Sequence, residues 1–357
     1  MIVIVAGSRV RLGAVSTATT PASTENPTPK TPWIPTLRIQ RIAAFILLLA
    51  QGGITVTGSI VRVTGSGLGC DTWPLCHEGS LVPQAGAAPW IHQAIEFGNR
   101  LLTFVVAAAA IAVFFMVLRA KRRTEILVYS IISGLGIVLQ AVLGGISVLM
   151  DLHWWTVAIH FLPSMVLVWV AALLYTRLPQ PDDGAPTKVF PTAIRVLLLI
   201  SVISLAVVLA TGTMVTGAGP HSGDAGVGME GRLEVDIDLM AHIHGYNMYV
   251  YLAFTLIVVG LLYRAKASGA AKQTSWVLIA MILIQGAIGI AQYNLGVPRW
   301  SIPVHIAMSS VVVAFSAFLY AHGVVRQGGT EELRTGSPTG DERLRQREVA
   351  QANATAA

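Results

Sequence analysis

Residues 140–160 read QAVLGGISVLMDLHWWTVAIH and residues 285–305 read QGAIGIAQYNLGVPRWSIPVH, and the two stretches decide the fold. Gln140, Gly144, Trp155 and His160 return as Gln285, Gly289, Trp300 and His305, each 145 positions further on. The same shift sets Asn99 against His244. Val63-Thr64-Gly65 resembles Val215-Thr216-Gly217 at a shift of 152. The chain is an internal duplication, and everything around the quoted segments is apolar enough to lie in lipid. Of 357 residues, 54% are hydrophobic and 12% charged, against roughly 25% charged in a soluble domain, and the mean hydropathy is +0.66. A water-soluble enzyme is excluded. The net charge of +6 does not point to nucleic acid, because Lys and Arg cluster between the long apolar runs as in a membrane protein.

About twenty mostly apolar residues cross a bilayer, and eight such runs occur, near 41–63, 92–118, 125–149, 154–176, 193–215, 239–263, 274–296 and 302–325. The expected fold class is an all-α integral membrane protein whose eight transmembrane helices form two tandem, pseudo-symmetric four-helix bundles. Four helices separate equivalent positions, so the repeat is parallel, about an axis along the membrane normal. The boundaries are a disordered tail over 1–37, a first bundle over 38–178, a linker over 179–190, a second bundle over 191–326 and a disordered tail over 327–357. Both tails carry too little apolar surface to pack. The short apolar start, Met1 to Ala6, has no basic segment before it and is not read as a signal peptide.

Arg119, Lys121, Arg122 and Arg123 follow run 2, Arg177 and Lys188 follow run 4, and Arg264, Lys266 and Lys272 follow run 6. The connection over 64–89 has no Lys or Arg. The basic connections should be cytoplasmic, with both termini inside.

His244 and His305 fall near the outer ends of two runs with the same direction. Two neutral imidazoles facing across a bundle supply both axial ligands to a haem iron; hydrogen bonding between helices is the plainer use of the same pair. His160 repeats His305, but Asn99 stands where a second imidazole is needed, and an amide is a poor haem ligand. One half would then hold a permanent haem and the other an exchangeable one, or a redundant site has diverged. His92, Glu96 and Asn99 share a helical face. Glu96, at membrane depth, is a catalytic carboxylate or the partner of Arg100 in a structural ion pair. His92 is expected to hydrogen-bond Glu96, with replacement ligation and an interfacial role as alternatives. Arg62 could hold a haem propionate or snorkel to the interface. Cys70 and Cys76, on the outer and oxidising side, are expected to form a disulfide, as a staple or a redox pair. His77, His153, His221, His242 and His322 have no histidine counterpart in the repeat and are assigned no chemistry.

Taken together, the tandem eight-helix pattern, Gly65-Ser66-Gly67-Leu68-Gly69-Cys70 leading to Trp73-Pro74-Leu75-Cys76, the segment Glu96-Phe97-Gly98-Asn99-Arg100, and paired His160 and His305 resemble the haem A synthase family over residues 40–325. The resemblance implies haem b as cofactor, ligated by His244 and His305. It implies haem O as substrate in the first half, near Glu96, His160, Asn99, Arg100, His92 and Arg62, with His160 on its iron. The implied reaction oxidises the C8 methyl of haem O to a formyl group, with oxygen from water, to give haem A for terminal oxidases. Implied partners are a haem O synthase (a farnesyltransferase), an electron acceptor and membrane lipid, with homo-oligomerisation compatible. The family's helix 2 motif reads Glu-x-x-His-Arg, and Asn99 departs from it. A second family cysteine pair, in the helix 5–6 loop, has no counterpart between Gly217 and Ile237. The competing classes are a cytochrome b-like electron carrier exchanging with quinone and a transporter built on tandem repeats.

Overall fold

The computed structural model describes residues 33–221, 223 and 231–327. Eight helices account for nearly all of them: α1 (Leu37–Val63), α2 (Trp90–Arg119), α3 (Thr124–Leu149), α4 (Trp154–Arg177), α5 (Thr192–Ala218), α6 (Ile237–Arg264), α7 (Gly269–Asn294) and α8 (Ser301–Ala321). Each is long and apolar enough to cross a membrane, since even the 21 residues of α8 extend about 30 Å at 1.5 Å per residue. The expected tails fall outside the described residues except at their inner ends, where Leu37 already opens α1 and Gln327 ends a strand.

Local chemistry places the boundaries. Thr36 caps α1 by accepting from the Ile39 amide at 3.4 Å. Asp236 caps α6 through the Asp238 amide at 2.8 Å, and Ser268 caps α7 through the Ala271 amide at 3.2 Å. Side-chain oxygens thus satisfy amides that have no intrahelical partner. The Ser268 cap starts α7 at Gly269, before its apolar run begins at 274. Gly296 at φ +71° and Val297 at φ +58° turn the chain out of it.

Helices α1 to α4 pack in a ring, each against its sequence neighbours and α4 against α1. In the second half α5 packs on α6, α6 on α7 and α7 on α8, while α5 and α8 barely meet. The halves join where α8 packs on α1 and α4, and α4 on α5. The two junction helices α4 and α8 are accordingly the most enclosed, with 44% and 39% of their apolar windows buried against 22% for α2. At this junction Met165 Sδ lies 3.9 Å from Ser310 Oγ, a contact between residues at the same position in the two repeats.

The linker expected over 179–190 is not bare. Residues Ala185–Lys188 (β1) pair antiparallel with Val324–Gln327 (β2). The eighth apolar run therefore stops being helix at Ala321, and its last residues form a ribbon. Beneath it, Arg122 Nε and Arg123 Nη1 meet Asp182 at 2.6 and 3.1 Å. Arg177 meets Glu125 at 2.5 Å, Arg326 meets the same carboxylate at 3.6 Å, and Arg326 Nη1 donates to the Gly184 carbonyl at 2.8 Å. Linker and ribbon are tied to the basic end of the first bundle.

Candidate functional site

His244 on α6 and His305 on α8 face each other with ring centroids 6.3 Å apart and planes inclined at 59°. Two imidazole–metal bonds of about 2 Å plus the half-widths of two five-membered rings come to about that separation, so the spacing of the rings is the one that a shared metal requires. His244 Nδ1 donates to the Val208 carbonyl at 3.0 Å and lies 3.3 Å from Thr211 Oγ1. That hydrogen bond turns the Nε2 lone pair outward, the arrangement that orients metal-binding histidines. Gln285 Nε2 sits 3.0 Å from His305 Nε2 and donates to the His305 carbonyl at 3.1 Å. His305 Nδ1 is buried without a hydrogen-bond partner among the described residues.

Each of the three inward histidines rests its Cε1 against a glycine. A Cβ at Gly212 would come within 3.1 Å of His244, one at Gly289 within 3.3 Å of His305, and one at Gly144 within 3.2 Å of His160. Three helices thus leave a recess for a ring on the next helix. Gly144 and Gly289 stand out in the repeat; Gly212 does not, and nothing in its local sequence marks it.

The first half has one imidazole. His160 Nδ1 is buried and lacks a partner among the described residues. Asn99 Oδ1 accepts from Thr57 Oγ1 at 2.7 Å, which engages the amide with α1. No group of three or more His, Cys, Asp or Glu able to hold a metal ion occurs among the described residues; an axial imidazole site needs only one or two.

Cys70 and Cys76 form a disulfide, and both are buried. The loop they close is clamped onto α2. Glu96 Oε2 accepts from the Cys70 amide at 2.5 Å, and Glu96 Oε1 pairs with Arg100 Nη2 at 2.6 Å. Arg100 also donates to the carbonyls of Cys70 and Thr72 at 3.0 Å each and of Leu75 at 2.9 Å. His77 bridges Asp71 at 3.0 Å and Gln93 at 2.9 Å. Trp73 packs so closely on Gly145 of α3 that a Cβ there would collide with the indole. The loop is therefore fixed against α2 and α3 of the first bundle.

Two expectations change. His92 turns Nδ1 to Ser66 Oγ at 2.9 Å instead of to Glu96, whose oxygens are taken by Arg100 and the Cys70 amide. Arg62 Nη2 crosses to the Thr216 carbonyl on α5 at 2.7 Å, so it links the halves. The Glu96–Arg100 ion pair, one of the two roles left open for Glu96 by the sequence, is present, and backbone groups that the sequence did not indicate complete the clamp. Next to it, an open cleft of about 460 Å³ is lined by Ile60, His92, Ile95, Arg299 and Trp300 among others.

Comparison with known proteins gives this arrangement a context. A Bacillus pumilus protein named "Heme A synthase" is 34% identical over 151 residues, covering 39% of this chain and 47% of that protein. A Staphylococcus aureus protein of that name is 25% identical over 269 residues, covering 70% and 83%. One from Listeria monocytogenes is 28% identical over 183 residues, covering 49% and 58%. The chain thus spans about half the length of the first and third and most of the second. Residues 41–317, which reach from α1 into α8, match the family described as cytochrome oxidase assembly protein. The match takes in every helix that carries the site, and the chain belongs to the cytochrome oxidase assembly protein family.

Proposed function

We propose that the chain is a haem A synthase, which oxidises the C8 methyl of haem O to a formyl group and supplies haem A to terminal oxidases. The observation that carries this reading is the unequal furnishing of two equivalent halves. One offers a pair of imidazoles 6.3 Å apart, and the other offers a lone buried imidazole beside a carboxylate clamp, in a chain whose relatives bear that name. In the second bundle, 191–326, His244 and His305 would hold haem b, which would supply one-electron transfer there. The first bundle, 38–178, takes haem O, with His160 on the substrate iron.

Converting a methyl to a formyl with oxygen from water releases four electrons and four protons, so an electron acceptor is required. Apolar side chains of α1 to α4 dissolve the prenylated substrate and exclude bulk water. His244 is oriented by the Val208 carbonyl, and its ring depth is set by Gly212. Glu96 Oε2 bears a single backbone hydrogen bond, so this oxygen retains a lone pair through which the carboxyl group can exchange a proton with the reacting edge. Arg100 and the disulfide loop hold that carboxylate in place. The loop lies on the outer side of the membrane and both termini lie in the cytoplasm, because the basic connections follow α2, α4 and α6. A haem O-forming farnesyltransferase is the expected source of substrate.

The test is haem extraction from cells that make haem O and lack their own haem A synthase. Expression of the wild-type chain is expected to convert haem O to haem A, and Glu96→Ala to leave haem O unconverted. A well-expressed wild-type protein that binds haem and leaves haem O unchanged would be an electron carrier, and the synthase reading fails.

A further inference from the structure

Gln140 lies on α3 one helical turn before Gly144, the glycine against which His160 rests. Both polar ends of its amide are shut off from solvent, and neither has a hydrogen-bond partner among the described residues. A primary amide carries two donors and an acceptor, and leaving all of them unsatisfied in an apolar interior is costly. His160 Nδ1, on the neighbouring helix, is buried and unsatisfied in the same way. Two polar groups, one a helical turn from Gly144 and the other on the ring that rests against Gly144, are thus left without a partner among the described residues.

The second half shows that this is not what the repeat imposes. Gln285, the counterpart of Gln140, spends its Nε2 on the ring and the carbonyl of His305, at 3.0 and 3.1 Å. Gln285 Oε1 and His305 Nδ1 lack partners among the described residues as their counterparts do; the halves differ at the amide nitrogen, which is engaged in Gln285 and has no partner among the described residues in Gln140. Buried polar groups without protein partners mark places where a ligand completes the hydrogen bonding.

We propose that Gln140 is a substrate-contacting residue of the first half, whose amide pairs with a hydroxyl group on the porphyrin substrate and so selects a hydroxyl-bearing haem over one that lacks it. The proposal rests on the haem A synthase reading. An amide and a hydroxyl each donate and accept, so they match reciprocally, and a site built to bind a hydroxyl rejects the analogue without one. Two hydroxyls share this chemistry. Haem O carries one on its prenyl-bearing side chain, which haem B lacks; the other is the alcohol on the way from methyl to formyl.

The experiment uses the full chain in lipid nanodiscs, loaded in the second half with haem b, whose spectrum reports that the bundle is folded. Haem O and haem B are titrated into wild type and into Gln140→Met, which keeps the length and removes the polar ends. If the prenyl-side hydroxyl is the partner, Gln140→Met binds haem O roughly tenfold more weakly and haem B as wild type does. If the partner is the alcohol, haem O binding is unchanged, and cells expressing Gln140→Met accumulate the hydroxymethyl porphyrin several-fold over wild type. Unchanged haem O binding together with an unchanged product profile overturns the proposal. Should Gln140→Met fail to assemble, Gln140→Asn, which keeps the amide but pulls it back by one methylene, is read by the same two measurements. Titration needs no turnover, so a wild type that makes no haem A but loses its haem O preference in Gln140→Met sinks the synthase reading and leaves the amide site standing.

Discussion

On one side of the pseudo-symmetric junction, His244 and His305 meet across their bundle, each backed by a glycine and each held by a polar partner. On the other, His160 keeps its glycine and, like His305, has no partner for Nδ1 among the described residues, but the opposite position is an asparagine taken up by Thr57. The changes come together. Under the 152-residue shift the counterpart of Gly212 is Ile60, which lines the outer cleft with His92, so both the second imidazole and the recess for it are gone from the first half. Conversely, Glu96 and Arg100 correspond to Ala241 and Gly245 under the shift of 145, and the disulfide clamp belongs to the first half alone. Equivalent positions of the repeat thus carry different side chains, an imidazole pair in one half and a single imidazole with a carboxylate clamp in the other.

The sharpest way to break this comparison is to remove one imidazole at a time. His305→Ala is expected to abolish the low-spin iron signal of purified protein in optical and EPR spectra, and His160→Ala to leave it intact; the reverse pattern would exchange the roles of the halves. Next in size is Glu96→Ala, which leaves Arg100 buried without its carboxylate and the Cys70 amide without an acceptor. A loss of about 3–5 kcal/mol is expected from breaking such a pair, read as a lower thermal midpoint in detergent. Glu96→Gln should lose less, because its amide oxygen still accepts from Cys70; equal stability of all three proteins would mean that the clamp holds nothing. Replacing both Cys70 and Cys76 by Ser opens a short loop and should cost about 2 kcal/mol, with weakened haem O retention and an unchanged second-half spectrum. The smallest effects are expected at the glycines. Gly289→Ala places a methyl 3.3 Å from His305 and Gly144→Ala one 3.2 Å from His160, each an overpacking of about 1–2 kcal/mol. Gly289→Ala should shift the low-spin EPR g values and Gly144→Ala should not.

Much of this was legible in the residues. Eight apolar runs foretell eight helices because a lipid environment demands length and apolarity and little else. The ends were less legible. The run to 325 outlasts α8, which stops at Ala321, because the β-branched Val324 and Val325 beyond Gly323 suit a strand once β1 is there to pair with them. At the site, the sequence left the contact of Glu96 with Arg100 as one of two roles for the carboxylate, and the turn of His92 to Ser66 depends on where the loop lays its backbone. Gln140 and Gln285 are alike as letters, and only their surroundings differ.

Composition and periodicity by themselves determined that this is a duplicated eight-helix membrane protein with an imidazole or an amide at each of four equivalent depths. Those properties are carried by one residue at a time and survive any rearrangement of neighbours. Tertiary structure alone decided which polar atoms are answered: the Val208 carbonyl behind His244, Thr57 on Asn99, the loop carbonyls on Arg100 and nothing among the described residues on Gln140. A hydrogen bond needs two groups from different segments within about 3 Å and in line, and no spacing along the chain encodes that.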